Sequence, residues 1–404
     1  MRFKLIVLLL IFPVLLIAQY KIQGKILDAE TKKPLEGISV ILSNTTKGTA
    51  TNNQGEFELN NVKTGKYELV ATSVNYEEYI LPVLASEKVE PLIIYLKPSV
   101  SILKEVVIES YDKNGWDKWG DIFSSCFIGS SELAKKCKLV NPEVVKFQYN
   151  ENTNKLKAFS VEKLIFENRA LGYRIIYHLS KFECDINNNT FSYKGYPLFE
   201  ELKPKNAKEM SLWDEMRKDT YRGSLRQFIR SLYFNQLTED GFEIRNVKYI
   251  TSEEKHRVKN VLKDVHDKED KVLTNNLADK DSMDYYLKVK TLGIDDNKVV
   301  LDDIIPRDSI VLNANEGNSK TIYFTGYLQV SYLKKKIPDE FAKTLPAYHS
   351  NDLIESEINL RYKNPVSIYP NGNYSNGFDL LIEGYWAWSE KISTMLPGDY
   401  SSGK

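Results

Sequence analysis

The 404-residue sequence has few of the residues on which most catalytic and metal sites depend. It contains four histidines and three cysteines, and it has no Gly-x-Ser-x-Gly, P-loop or Gly-x-Gly-x-x-Gly pattern. Serine hydrolysis and nucleotide binding therefore have no support, because they need a strained nucleophile turn or a glycine-rich phosphate cradle. The acidic residues are too many and too scattered to indicate a catalytic pair. We predict neither an enzyme nor a cofactor.

The chain also lacks net charge, and beyond its first residues it lacks any long apolar run. The 55 basic side chains are balanced by 55 acidic ones, so no overall field favours nucleic acid, and we expect no nucleic-acid partner. No later apolar run reaches the roughly 20 residues that a membrane-spanning helix needs. With 42% hydrophobic residues the chain can nevertheless bury a sizeable core.

The first 18 residues form the one long apolar run. Arg2 and Lys4 give it a positive start, and an apolar stretch interrupted only by Pro13 ends before Ala18. This pattern is typical of a secretory signal peptide and predicts an exported protein that begins at Gln19. The alternative is a retained N-terminal membrane anchor, which the short apolar stretch disfavours.

Residues 19–97 show short runs in which every second residue is apolar. Examples are Tyr20, Ile22, Gly24 and Ile26 in one run, and Tyr67, Leu69 and Ala71 in another. This period predicts strands with one buried face. Turn residues separate the runs; Gly55, for example, can adopt positive φ. The spacing of the turns predicts a small antiparallel sandwich.

Several motifs in this stretch resemble the carboxypeptidase-regulatory-like domain. They are Gly24-Lys25-Ile26, the segment 34–40, the segment from Thr51 to Phe57, and the segment 65–69. The resemblance implies a transthyretin-like β-sandwich that acts as an accessory module and has no peptidase activity of its own. It also implies the envelope of Gram-negative bacteria, in the periplasm or associated with the outer membrane.

Residues 98–112 are predicted to link this sandwich to the rest of the chain. Within them, Leu103 to Ile108 resembles the segment that joins the same module to the plug of TonB-dependent transporters. About 300 further residues are too few for a 22-strand barrel. One alternative function is therefore that the protein is an accessory partner of such a transporter. The simpler interpretation of the segment itself is a strand that pairs with a neighbouring domain.

Residues 113–404 are predicted to form a larger α+β domain rich in antiparallel strands. Helical spacing runs from 113 to about 140 and includes a second short helix through Cys137. Two further helices are indicated near Asn206 and Ser224, with strand patterns around them. Residues 251–293 are dense in charge and are predicted to be a solvated excursion. The region resembles an uncharacterised part of exported bacterial proteins that follows the same sandwich, and this resemblance implies no activity.

His266 and Glu269 have the local spacing of a zinc carboxypeptidase site, and His349 lies downstream. Zinc catalysis needs three protein ligands held rigidly around an open water position. The charged surroundings of His266 offer no such support, so these residues are weak metal candidates. A metallohydrolase remains the alternative to a non-catalytic protein.

Cys126 and Cys137 flank a predicted turn and would reach an oxidising compartment after export, so they are candidates for a disulfide. All three cysteines could equally be reduced and buried, as small apolar side chains often are.

Tyr385, Trp386 and Trp388 could form an aromatic surface that stacks on sugar rings, although packing against a core is the favoured interpretation. Together these features predict an exported binding or structural protein whose partner is an envelope protein or a glycan.

Overall fold

The computed structural model describes residues 19–401, apart from 74, 87–89, 100–110, 161, 189, 268–279, 294–295, 314–317, 345–348 and 376–378. The predicted signal peptide and the segment from Leu103 to Ile108 lie outside the described residues. Within the part of the chain that is described, no helix is both long enough and apolar enough to cross a bilayer.

The N-terminal sandwich is built from seven strands. They are β1 (Gln19–Asp28), β2 (Ser39–Leu42), β3 (Gly48–Ala50), β4 (Glu56–Lys63), β5 (Gly65–Ser73), β6 (Tyr76–Ala85) and β7 (Leu92–Leu96). One sheet has the order β4-β1-β7 and the other has the order β3-β2-β5-β6. All pairs are antiparallel except β1 with β7, which is parallel. The predicted two-sheet sandwich is confirmed.

The core of the sandwich consists of the residues whose alternation was visible in the sequence. Ile22, Ile26 and Leu69 have no exposed surface, and Tyr67 is buried beside them. Burial of each such side chain contributes about 1.5–3 kcal/mol to the stability of the fold. Gly55 has a φ of 74°, and a Cβ there would lie 2.5 Å from a main-chain oxygen, so the turn before β4 requires glycine.

A middle module follows, in which one helix packs on a bent sheet. Its elements are α1 (Gly115–Phe127), β8 (Cys137–Leu139), β9 (Val145–Asn150), β10 (Lys155–Ser160), β11 (Leu164–Asn168), β12 (Tyr173–Asp185) and β13 (Thr190–Glu201). The strand order is β8-β11-β12-β10-β9, and β13 also pairs with β12. The short helix predicted through Cys137 is confirmed in part: a 3-10 helix spans Ala134–Lys136 and ends one residue earlier, because β8 begins at Cys137 and pairs with β11.

Aromatic side chains hold α1 against this sheet. Phe123 and Phe127 lie one helical turn apart on the same face, and both are fully buried. The Phe123 ring lies 4.9 Å from that of Phe182, and the Phe127 ring lies 5.1 Å from that of Tyr177. These contacts fix the end of α1 over β12.

A C-terminal module completes the chain. Its helices are α2 (Ala207–Tyr221), α3 (Leu225–Phe234), α4 (Leu237–Asp240), α5 (Ser252–Asp267), α6 (Lys280–Thr291), α7 (Asp339–Ala342) and α8 (Tyr385–Ser389). Its strands are β14 (Phe242–Tyr249), β15 (Lys298–Ile304), β16 (Val311–Asn313), β17 (Lys320–Ile322), β18 (Tyr327–Lys336), β19 (Leu353–Leu360), β20 (Val366–Ile368) and β21 (Leu380–Gly384).

The strands of this module form two antiparallel sheets, with the orders β15-β14-β18-β19-β21 and β16-β17-β20. The apolar stripe of α3, with Phe228, Ile229 and Leu232 fully buried, packs into their core. This core is separate from that of the middle module, so the described part of the region predicted as one α+β domain contains two large hydrophobic cores.

Within the predicted charged excursion at 251–293, the described residues form two helices that share a small core. They are α5 and α6, which pack through Val258 and Val289 against Val299 of β15. With Ile250, these valines make four buried side chains, which form a small satellite core although charged residues dominate the composition around them.

Candidate functional site

A cleft of about 1100 Å³ lies where the N-terminal sandwich, the middle module and the C-terminal module meet. Lys66 and Tyr67 of β5 line it from the sandwich, and Tyr193 and Lys194 of β13 line it from the middle module. The C-terminal module contributes α3, α8 and the segments that follow β20 and α8. Small-molecule sites usually measure about 300–1,000 Å³, so this cleft has room for an oligomeric ligand.

Aromatic residues from all three modules contribute to the cleft wall. They are Tyr67, Tyr177, Tyr193, Tyr221, Tyr369, Tyr374, Tyr385 and Trp388. Burial raises the pKa of Tyr374 to about 12 and raises the pKa values of Tyr193 and Tyr385 above their ordinary value. At neutral pH these phenols are therefore protonated and can act as hydrogen-bond donors.

Charged side chains in the cleft wall are balanced in sign. The basic ones are Lys66, Lys194, Arg222, Arg226 and Lys335, and the acidic ones are Glu68, Glu132, Asp219, Glu340 and Glu390. Lys335 and Asp219 pair with each other at 2.7 Å. The cleft therefore has no excess of cations of the kind that attracts phosphates or nucleic acids.

Glu390 is a carboxylate held in the wall by the start of α3. Its Oε1 accepts a hydrogen bond of 2.9 Å from the main-chain N–H of Leu225, the first residue of that helix. Burial raises the pKa of Glu390, although the hydrogen bond from Leu225 and the nearby Arg226 both oppose the rise. A carboxyl group with a raised pKa in a cleft is a candidate functional group.

Arg226 joins α3 to the C-terminal strap, by which we mean residues 395–400. Its guanidinium donates to the main-chain oxygens of Pro397 and Gly398, to that of Tyr400 at 3.1 Å, and to that of Asn371 at 3.2 Å. Because these four acceptors occupy most of its five N–H groups, Arg226 positions the cleft wall and does not serve as a ligand-binding cation.

The cleft is closed on the sandwich side by contacts with loops of the C-terminal module. Asn371 and Asn373 both donate their side-chain amides to the main-chain oxygen of Lys66, at 3.1 and 2.9 Å. On the middle module, the N–H of Asn44 donates to the oxygen of Pro197 at 2.6 Å. Hydrogen bonds thus fix the sandwich to both other modules around the cleft.

The three aromatic residues predicted as a surface have different positions in the structure. Trp386 is 1% exposed, its Nε1 donates to the oxygen of Gly223 at 2.8 Å, and its ring packs 5.3 Å from that of Phe228. The assignment of Trp386 to an exposed surface is therefore wrong, and the favoured packing interpretation describes it. Tyr385 and Trp388 are partly exposed and line the cleft.

The predicted metal candidates do not come together among the described residues. His266 lies on α5, but its side chain and all of Glu269 fall outside the described part of the chain. His349 is largely exposed, with its Nδ1 3.7 Å from Asp352. Where the structure describes side chains, it contains no group of three His, Cys, Asp or Glu residues arranged for a metal.

The cysteines are arranged differently from the sequence-based prediction. The Sγ of Cys126 lies 3.7 Å from the Sγ of Cys184, whereas Cys137 is buried on β8. The structure thus places Cys184, and not Cys137, beside Cys126.

The site residues that sequence reasoning missed include Glu390, Arg226, Tyr193 and Tyr374. The sequence misleads at Arg226, because a position off the apolar stripe of an amphipathic helix predicts an exposed side chain, whereas the structure surrounds this one with protein. The other three have no local pattern that distinguishes them from surface residues.

Comparison with known proteins identifies the N-terminal part of the chain. Residues 22–108 match the CarboxypepD_reg-like domain family, which confirms the resemblance seen in the sequence. The match extends past Leu96, the last residue of β7, into the predicted linker. It assigns no reaction to the chain. No curated protein matches the chain.

Among solved structures the likeness is partial. A type II cohesin–X-dockerin complex from Acetivibrio cellulolyticus is 23% identical over 19% of this chain and 56% of that one, with a TM-score of 0.17. The group B streptococcus pilus 2b backbone protein is 17% identical over 20% and 42%, with a TM-score of 0.18. A candidate carbohydrate-binding protein from Bacteroides uniformis is 14% identical over 45% and 78%, with a TM-score of 0.16. Less than two thirds of each of the first two chains is covered, and TM-scores this low carry no argument about function.

Proposed function

We propose that this chain is an exported, non-catalytic binding protein of the bacterial envelope that holds an uncharged oligosaccharide in the cleft between its three modules. The observation that carries the proposal is the cleft itself, about 1100 Å³ in volume and lined by tyrosines and a tryptophan from all three modules.

The chemistry of the lining favours a glycan over other ligands. Aromatic rings offer flat apolar surfaces to the faces of sugar rings, and phenol hydroxyls offer donors and acceptors to sugar hydroxyls. Trp388 and Tyr385 lie side by side, with ring centroids 5.7 Å apart, and each also contacts Phe341 at 5.3 Å. This packing holds both rings in place before a ligand arrives, which reduces the entropy lost on binding.

The balance of charge favours a neutral ligand. Because basic and acidic side chains occur in equal number in the wall, an anionic ligand would meet carboxylates such as Glu390 and Asp219 as well as cations. Burying a carboxylate beside an anion is unfavourable, whereas sugar hydroxyls can hydrogen-bond to either sign of charge.

The test of this function is a binding measurement on the mature chain, residues 19–404, against a panel of neutral and acidic oligosaccharides. We expect saturable binding of a neutral glycan that weakens at least tenfold in Trp388→Ala, since a tenfold loss is about 1.4 kcal/mol and a stacked tryptophan commonly contributes that much. Tyr362→Ala is the control, because Tyr362 is 78% exposed and does not line the cleft. Failure of every neutral glycan to bind, or equal weakening in both variants, would overturn the proposal.

Export rests on the sequence of residues 1–18 and has its own test. We expect the protein to be recovered from the periplasm or the outer membrane with Gln19 as its first residue. Recovery from the cytoplasm with Met1 intact would contradict export without bearing on the cleft.

A further inference from the structure

Two cysteines that are distant in the sequence meet between α1 and β12. Cys126 lies in the last turn of α1 and is partly exposed, and Cys184 lies near the end of β12 and is buried. Their sulfur atoms are 3.7 Å apart, although 58 positions separate the residues in the chain. A disulfide has an S–S distance of about 2.05 Å, so the sulfurs need to approach by about 1.7 Å.

The packing around the pair holds the two elements in this arrangement. Phe123 and Phe127, on either side of Cys126 in α1, contact Phe182 and Tyr177 of β12. Because these rings are buried, α1 cannot slide along the strand without disrupting the core of the middle module. The close approach of the thiols is therefore a property of the packed fold.

Lys391 gives the pair a cationic neighbour. Its side chain is 6% exposed, and its ammonium lies 3.5 Å from the centre of the Phe191 ring. Burial raises the pKa of the thiols of Cys126 and Cys184, and the ammonium of Lys391 offsets part of this rise because it attracts the thiolate, which is the reactive form in disulfide exchange.

Cys137 has a different environment. It is 6% exposed on β8, and burial alone raises the pKa of its thiol to about 12. Cys137 lacks the cationic neighbour that Cys126 and Cys184 share, so no ammonium offsets this rise.

We propose that Cys126 and Cys184 form a disulfide that links α1 to β12, and that Cys137 remains a free thiol. The oxidant is a protein or small-molecule disulfide. One cysteine thiolate attacks it to give a mixed disulfide and releases one thiol, and the other cysteine then attacks the mixed disulfide and releases the second. The two cysteines lose two protons and two electrons, and the oxidant gains both as two thiols. An oxidising compartment supplies such disulfides. Formation of the bond in the cell therefore rests on the proposed export.

The bond would stabilise the fold, and it would lie near the wall of the cleft. Lys391, beside the thiols, directly follows Glu390, which lines the cleft. Cross-linking residues 58 positions apart restricts the unfolded chain, so we expect the oxidised protein to melt about 5 °C or more above the reduced one.

The test is thiol mapping of residues 19–404 in a glutathione redox buffer. Burial raises the pKa of Cys126 to about 12, which slows exchange in the folded protein, so the oxidation is also run during refolding from denaturant. Free thiols are then blocked under denaturing conditions and the peptides are analysed by mass spectrometry. We expect one blocked cysteine, Cys137, and a linked pair of peptides that contain Cys126 and Cys184.

Three variants make the test specific. Cys137→Ser should keep both the linked peptides and the rise in melting temperature on oxidation, whereas Cys126→Ser and Cys184→Ser should lose both. Three blocked cysteines after oxidation by both routes, or a link that involves Cys137, would overturn the proposal. None of these outcomes depends on glycan binding, so the disulfide and the proposed function can fail separately.

Discussion

The ammonium of Lys63, at the end of β4, donates a hydrogen bond of 2.7 Å to the main-chain oxygen of Asp399 in the C-terminal strap. The Asp399 carboxylate in turn accepts from the N–H of Thr46 at 3.1 Å. Residues of the N-terminal sandwich and of the C-terminal strap are therefore in direct contact. Through these bonds and those of Arg226, the strap connects the N-terminal sandwich to α3.

Replacing Arg226 should be strongly destabilising. In Arg226→Met the oxygens of Pro397, Gly398, Tyr400 and Asn371 lose their donor, and buried acceptors left without a partner cost about 1–3 kcal/mol each where water cannot reach them. We expect the free energy of unfolding in urea to fall by about 3 kcal/mol. Arg361→Met is the matched control, since Arg361 is exposed, and it should change stability by no more than about 0.5 kcal/mol.

Alanine substitution should destabilise the protein much more at Trp386 than at Trp388. Trp386→Ala removes a buried ring and leaves the oxygen of Gly223 without its donor, so we expect a loss of about 3–5 kcal/mol. Trp388 is partly exposed, and its Nε1 donates only to Ser130 at 3.2 Å, so Trp388→Ala should cost about 1 kcal/mol. Urea denaturation measures both. Similar losses in the two variants would contradict the assignment of Trp388 to the cleft wall.

Glu390→Gln should be more stable than the unmodified protein at neutral pH. Burial raises the folded-state pKa of Glu390 above its unfolded-state value of about 4.5. The stabilisation that comes from binding a proton at Glu390 is therefore complete below the unfolded-state pKa and is lost as the pH rises through the folded-state pKa. The amide that replaces the carboxyl group in this variant is uncharged at every pH and can still accept the N–H of Leu225. The stability difference should therefore grow from pH 4 to pH 7 in chemical denaturation, and a constant difference would show that the carboxylate is not destabilised by burial.

Lys391→Met should also stabilise the reduced protein. Its effect should vary with pH in a more alkaline range than that of Glu390→Gln. Burial lowers the pKa of Lys391 from 10.5 to about 8, so the unfavourable burial of the ammonium is fully present below pH 8, where it amounts to about 3 kcal/mol. As pH rises from 8 toward 10.5, the folded protein releases this proton before the unfolded chain does, and the unmodified protein gains stability. We expect the advantage of the variant, measured by urea denaturation, to be largest at pH 7 and to shrink by pH 9.5. An advantage that does not change with pH would contradict this.

The sequence predicts a structural feature of this protein when the residues that form the feature are close together along the chain. The strands of the sandwich and the helices near Asn206 and Ser224 were predicted because the alternation and helical spacing that reveal them lie within a few neighbouring residues. In the structure these two residues cap the helices: Asn206 accepts from the N–H of Glu209 at 3.0 Å, and Ser224 accepts from that of Gln227 at 3.1 Å. The α5–α6 pair was missed because three buried valines have little weight against the surrounding charges.

The amino-acid sequence by itself determined the N-terminal sandwich and the α+β character of the remainder, and it predicts an export signal, since each depends on composition or local period. Only the tertiary structure decided that Trp386 is core while Trp388 faces the cleft, and that Cys126 lies beside Cys184. It also decided that Glu390 meets the start of a helix 165 positions earlier in the chain. The physical reason is that such contacts arise from the packing of sheets and helices against one another, and the hydrophobic effect that drives this packing is non-directional. The residues that it brings together therefore need no shared pattern along the chain.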